Sequence, residues 1–549
     1  MPSRLAVHSG QIVAAQAAAV VWLAAAGHAG AAGAAAALLL AAFGRVRGRW
    51  LHEWLRLATG LAVRRWRRTR DAGAISTLAR VRPGIRVVEV ALDRPAAGLD
   101  DGYGTVVLLD LDDGGVEGEP LVVPALPDLP VQLVVSTRSG TGGPAADPRE
   151  VGGRVAGSGP PLLRQVLLAV RIPPGGDAAA WVRAVTGRLA PLRARPVPPG
   201  ELAAVLEDLG GAGPVRESWS AVHAGGLCQV TYRVGRGATD RGGPVAAPLA
   251  TAAPSTTAGP LTTSGPVTTT VGVCGRELTV RVATAAHPRP PAPVVRPAHR
   301  LDGQHLPGLA ATLPLAVAPP HPSAPGLGVA GPVRVPPAGL VLGHDPAGVP
   351  VPVALFGRGG TRAVLIGGMD EAVGLARLAL AAGVDVVVTG SRPDVWETLA
   401  TGAAAGGGAP DGAVDGGRLR LRPAPAAAAA GGTPYRPVLS LVDTDRGFSP
   451  APGRWTAEVL VRQRIDGDAV GLLARAGTVL SRPLTDAEAT VASAALGLGA
   501  AAGATLRGGT GWLAVIGRRA VRWVTVGPRP GAGSGTAATR GSAPPADMG

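Results

Sequence analysis

The chain has 549 residues and a formal net charge of +15, and all 53 of its basic residues are arginine. Without lysine there is no P-loop, whose lysine must reach the β- and γ-phosphates, and no Schiff-base catalysis. Two cysteines, Cys228 and Cys274, are too few for a disulfide framework and lack metal-ligand spacing. The positive charge calls for an anionic partner, nucleic acid or a membrane surface. Three Tyr and three Phe leave few platforms for stacked bases.

Gln11–Gly27 (QIVAAQAAAVVWLAAAG) and His28–Gly44 (HAGAAGAAAALLLAAFG) open the chain, and no fixed charge lies between Arg4 and Arg45. That run is about 40 residues, against roughly 20 for one spanning helix. Residues 1–44 therefore predict a two-helix transmembrane hairpin turning at Gly27, His28 and Gly30, with small residues allowing close helix packing. A cleavable signal peptide ending after AAAGHAG is the competing reading. The second apolar run and the arginines behind it argue against that.

Residues 45–73 begin RVRGRWLHEWLRLATGLAVRRWRRTR, in which nine arginines interleave with Trp50, Trp54, Leu55, Leu57, Leu61 and Trp66. This pattern predicts a basic amphipathic helix at a lipid surface. The positive-inside rule holds it, and everything after it, in the cytoplasm. It reads either as a charged stop-transfer anchor or as a helix that also docks on a protein. DNA binding ranks third, since a segment tied to a bilayer is poorly placed for it.

Residues 74–285 predict a cytoplasmic α/β domain. Strands are expected at Arg86–Leu92, Thr105–Leu111, Gln132–Ser136, Val166–Ile172 and Gly225–Val234, with helices at Ala178–Leu189 and Gly200–Leu209. A Thr/Pro/Gly stretch at 237–266 predicts a disordered loop, after which Val267–Ala283 returns to the sheet as one or two strands. Residues 286–338 read as a Pro-rich linker. Residues 339–527 predict a second cytoplasmic α/β region with a low-complexity break at 402–432, and residues 528–549 a disordered tail.

Leu355–Gly390 has the order of a nucleotide-binding unit. Arg362–Ile366 reads as a buried strand, Gly367 and Gly368 as its turn, and Asp370 as the N-cap of a helix from Glu371 to Ala382. Val384–Thr389 reads as a parallel partner strand in one right-handed crossover. The dinucleotide fingerprint needs three glycines, and here Ala372 or Gly374 takes the third small position. Asp370 and Glu371 at the helix start would repel a pyrophosphate, with Arg358 and Arg362 as a partial offset. A packing unit is the simpler reading.

Other chemistry is sparse. His344–Asp345 reads as a turn; His287, His299 and His305 read as solvated residues in or near the linker. Asp443 and Asp445 follow a strand (Val438–Asp443), and Asp93, Asp100 and Asp101 belong to loops. No nucleophile elbow, metalloprotease helix or Cys/His dyad accompanies them. The two cysteines read as small buried hydrophobes.

Two segments carry a family resemblance: Glu217–Val234 (ESWSAVHAGGLCQVTYRV), and residues 339–396, with Gly343-x-Asp345-x-x-Gly348-x-x-Val351-x-x-x-Leu355-Phe356-Gly357 and a closing Arg392-Pro-x-x-Trp396. Following an apolar hairpin and RGRWLHEWLRL, they resemble EccE, a membrane component of the type VII (ESX) secretion system of actinobacteria, over roughly residues 10–240 and 335–480. The segments 237–266, 286–338 and 402–432 are enlarged by comparison. The resemblance implies a non-enzymatic, two-pass inner-membrane subunit with both termini cytoplasmic. It implies EccB, EccC and EccD and anionic inner-leaflet lipid as partners, and no nucleic acid or small-molecule substrate. It supplies no catalytic, cofactor-binding or metal residues. The alternative is a membrane-tethered nucleotide- or nucleotide-sugar-binding enzyme using the 361–390 unit.

Overall fold

The computed structural model describes residues 9–24, 28–46, 49–66, 78, 81, 84–112, 120–140, 160–190, 192–211, 213–234, 267–274, 277–284, 298–316, 328–390, 392, 394–396, 418–423, 431–444, 447–449, 451–507, 513–517 and 521–525. It is a mixed α/β protein with several sheets. The expected loop 237–266, tail 528–549 and most of the 402–432 break lie outside the described residues.

Helices Ser9–Ala24 and Ala29–Phe43 pack against each other as a hairpin, with Ala18 and Ala35 as buried positions. They are 16 and 15 residues long, about 24 and 22 Å at 1.5 Å per residue. Among the described residues, no helix is long and apolar enough to cross a membrane. The next helix, Leu51–Trp66, is amphipathic as expected, but its inward face is occupied by this chain. Trp54 stacks on Trp219 at 5.5 Å. Arg64 donates to both carboxylate oxygens of Glu217, at 2.9 and 3.2 Å, and to the Gly303 carbonyl at 2.5 Å.

The first folded region is built on a 12-stranded sheet whose pairs are all antiparallel. Its middle runs Leu227–Val234, Glu277–Thr284, Val267–Cys274, Val131–Arg138, Leu163–Ile172, Thr105–Asp112. Successive side chains of a strand point to opposite faces, and here both faces are covered. Val107 and Leu109 enter a core with helix Ala178–Arg188, while Val106 and Leu108 enter another with helices Leu202–Gly210 and His305–Ala311. That is why TVVLLDL reads as a continuous apolar run rather than an alternating one. Asp100, expected in a loop, ends a strand, Ala96–Asp100. The strand's Gly98 packs where a Cβ would meet the Val90 side chain at 2.6 Å.

The Pro-rich stretch 286–338 is more than a linker. Within it, strand Ala298–Arg300 pairs with Leu227–Val234, helix His305–Ala311 packs in the first core, and Val333–Val335 pairs with Leu121–Val123. Proline lacks a donor, but the residues between the prolines find backbone partners on strands distant in sequence.

The second region is an eight-stranded sheet in the order Leu419–Pro423, Asp385–Gly390, Val438–Asp443, Thr456–Arg462, Thr361–Ile366, Thr478–Ser481, Leu513–Ile516, Val521–Val524. Its first six strands are parallel and the last two add antiparallel. Thr361–Ile366 and Asp385–Gly390 are therefore not direct partners as expected: two later strands insert between them. Ala363 and Leu365 face helix Met369–Ala381, and Val364 and Ile366 face helices Gly467–Arg475 and Asp486–Leu496.

The two regions meet at the N-terminal ends of the parallel strands. Arg138 donates to the Pro434 carbonyl at 2.9 Å and the Gly383 carbonyl at 3.3 Å. Asp208 accepts from Arg454 at 2.5 Å and from the Trp455 indole at 2.9 Å, and the Tyr435 hydroxyl donates to the Leu209 carbonyl. Trp455 holds φ +52°, a conformation a bulky residue keeps only where its surroundings over-determine it. Its indole bond to Asp208 and its backbone bonds to Gly357 and Val438 do that.

Candidate functional site

Ligands of open α/β sheets bind outside the carboxyl ends of the strands, so the Gly367–Gly368 turn is the first place to look. The N-cap there is Gly368, not Asp370, and the helix begins at Met369. The reason is Glu371, which sits in the first turn and reaches back so that the Gly368 N–H donates to its carboxylate at 2.7 Å. The Gly367 N–H donates to the Arg462 carbonyl at 2.8 Å. The cradle a phosphate would need is thus filled by the chain's own acceptors. Arg358 and Arg362 do not offset it: they stand at the opposite end of the Thr361–Ile366 strand, about 17 Å away at 3.3 Å per residue.

The rest of that rim is also self-paired. Asp443 accepts from Arg392 at 3.1 and 2.7 Å. Glu488 caps the Asp486–Leu496 helix and accepts from Arg482 at 3.1 Å. Burial alone would raise the Glu488 carboxyl, but the Thr485 hydrogen bonds and Arg482 outweigh it and hold it low.

The remaining sequence candidates are scattered. Asp345 closes the turn between strands Leu340–His344 and Pro350–Val353 by accepting the Val349 N–H at 2.8 Å. Asp93 is exposed, Asp100 accepts the Gly102 N–H, and Asp101 accepts from Tyr103 and forms a 2.6 Å ion pair with Arg171. Cys228 and Cys274 form no disulfide; they lie opposite Thr284 and Glu277, at the two ends of one strand, about 23 Å apart along it. His299 is exposed, while His287 and Asp445 lie outside the described residues. His305, expected in solvent, is fully buried; its Nδ1 accepts the Thr231 N–H at 3.2 Å, and burial pulls its pKa down to about 4. Among the described residues, no group of three or more His, Cys, Asp or Glu is placed to hold a metal ion.

The large concave feature is elsewhere, between the regions. A cleft of about 1030 Å³ is lined by Asp110 to Asp112, Leu162 to Val166 and Arg193 to Pro196 on one side, and by Ala354 to Ala363 with Trp455 and Arg475 on the other. The loop LFGRGGTR, not the turn after the strand, forms its second wall. There Arg358 spans the gap to Asp110 and Glu201, each at 3.1 Å. Burial raises the Asp110 carboxyl, against the pull of Arg358. Nothing in the sequence marks this cleft, because its walls are far apart along the chain.

The chain matches no protein-family model and no curated protein.

Proposed function

We propose that the protein is a non-enzymatic structural subunit of a type VII (ESX) secretion machine, an EccE-like component of its inner-membrane complex. The observation that carries this is the N-terminal hairpin and what it is attached to. Residues 5–44 contain no Asp, Glu, Lys or Arg, and Trp22, Leu23 and Leu40 are more than half exposed on the helix pair. Large apolar side chains clustered in the open mark a surface that belongs against lipid or protein. The helix that follows presents Leu55, Arg56, Val63 and Arg65 outward, a composition suited to an anionic leaflet. Its inner face is fastened to the first folded region, so the body rides on the anchor. Both termini are cytoplasmic in this reading, in which the two arms, shorter than a roughly 30 Å hydrocarbon core, cross it by thinning the bilayer locally. Self-paired charges at the rim where α/β enzymes hold ligands support a scaffold acting by geometry rather than by chemistry.

Membrane extraction tests it. The full chain is expected to sediment with membranes, to need detergent for release, and to carry EccB, EccC and EccD with it in mild detergent. A fluorescent protein fused after Gly549 should glow in the cytoplasm, and an alkaline phosphatase fusion there should be inactive. Recovery of the intact chain as a dispersed monomer without detergent removes the proposal.

A further inference from the structure

Seven arginines and three carboxylates line the cleft between the two regions, an excess of four positive charges. Asp110 and Glu201 are taken up by Arg358. Asp112 stands opposite Arg193, and Asp110 opposite Arg195, in strand register. Arg164 and Arg362 each donate to a carbonyl at the margin, Pro336 and Ser449. Arg94, Arg193, Arg195 and Arg475 remain exposed around the opening. Like charges gathered in one concavity repel, and low-dielectric walls sharpen the field and concentrate counter-anions there.

Two donors, one in each wall, point to a missing acceptor. The Gln165 side-chain nitrogen is buried with no hydrogen-bond partner among the described residues, in a residue only 8% exposed, and so is Arg358 Nη1. Small-molecule sites run to roughly 300–1,000 Å³, so a 1030 Å³ cleft holds more than a single inorganic ion. Arginine forks match phosphate oxygens bidentately. Phe356, Pro452 and the Gly359–Gly360 backbone give an uncharged surface beside them. We propose that this cleft binds an organic anion carrying two or more phosphate groups, held by arginines from both sheets at once. The site lies at the amino ends of the parallel strands, opposite the rim where α/β ligands usually sit, and it is independent of membrane placement.

Calorimetry on the full chain in detergent, with pyrophosphate and ATP as probes, tests this. Saturable binding with Kd below about 1 mM is expected at low salt, with ATP at least as tight as pyrophosphate and both weakening as salt rises. The pair Arg193→Gln/Arg475→Gln takes one exposed arginine from each wall, so folding should be kept while binding weakens at least about tenfold. Replacing Arg67, Arg68 and Arg70 by Gln should leave binding unchanged. Absence of binding by both probes overturns the site. So does binding that survives the first variant and disappears with the second.

Discussion

The two folded regions handle charge in opposite ways. In the antiparallel sheet, charged side chains are sunk into the face of the ladder. Arg281 is fully buried, donating to Gln229, Thr312 and Thr270, and Arg138 is buried beside it. In the parallel sheet, charge closes in pairs at the carboxyl rim, Arg392 with Asp443 and Arg482 with Glu488, and Glu458, buried within a strand, accepts from Ser449. The sunk charges of the first region serve the joint: Arg138 reaches the carbonyls of Gly383 and Pro434, and the half-buried Tyr435 lies close to Arg281 and Arg138. Burial, with Arg418 nearby, lowers Arg138 to about 10, so it stays charged at neutral pH. Three of the buried charges, Arg138, Arg281 and Asp208, thus lie along the seam between the two regions.

The largest expected effect comes from breaking that seam. Arg281→Ala leaves Gln229 and two threonines without their donor and opens a void, and should cost about 3–5 kcal/mol in urea unfolding. If the loss is below about 1 kcal/mol, the buried network is not structural. Asp208→Ala strands the Trp455 indole and frees Arg454, for about 2–4 kcal/mol. It should also separate the unfolding of the two regions into two transitions, whereas a single sharp transition would show that the rest of the joint suffices.

Acid should act on the first region. The folded pKa of His305, about 4, lies below its unfolded value of roughly 6.5. The unfolded chain therefore takes the proton first as pH falls. His305's contribution is whole above about pH 6.5 and is lost progressively down to about pH 4, about 3 kcal/mol in total. His305→Asn keeps an acceptor for the Thr231 N–H and should flatten that slope in pH-dependent denaturation. An unchanged slope would assign it to other groups. The smallest effect belongs to the parallel sheet's rim: Glu371→Ala should cost about 1 kcal/mol by uncapping Gly368, and Glu371→Gln only a few tenths.

Much of the fold was legible because its elements are local. The helix expected at Ala178–Leu189 forms at Ala178–Arg188, where the Asp177 carboxylate caps Ala179 and Ala180. The apolar runs at 105–111, 166–172 and 362–366 were visible as strands, although no run says which strand will lie beside it. The insertion of Val438–Asp443 and Thr456–Arg462 between Thr361–Ile366 and Asp385–Gly390 depends on chain that comes later. Composition misled at 298–316 and 328–338, where prolines hid segments whose partners lie far back along the chain, on Leu227–Val234 and Leu121–Val123, and at His305, whose burial follows from that docking. The carboxylates at the Gly367–Gly368 turn were visible, but not that Glu371 would turn inward and fill it. The arginine cleft could not be seen at all, since neither wall is concave alone.

Arg64 holds Glu217 with one face of its guanidinium and reaches the Gly303 carbonyl as well, while Trp54 lies flat on Trp219. Helix Leu51–Trp66 is therefore pinned to the first region at two points, one near each of its ends, so a force on the leading helices reaches the sheet through Glu217, Trp219 and Gly303.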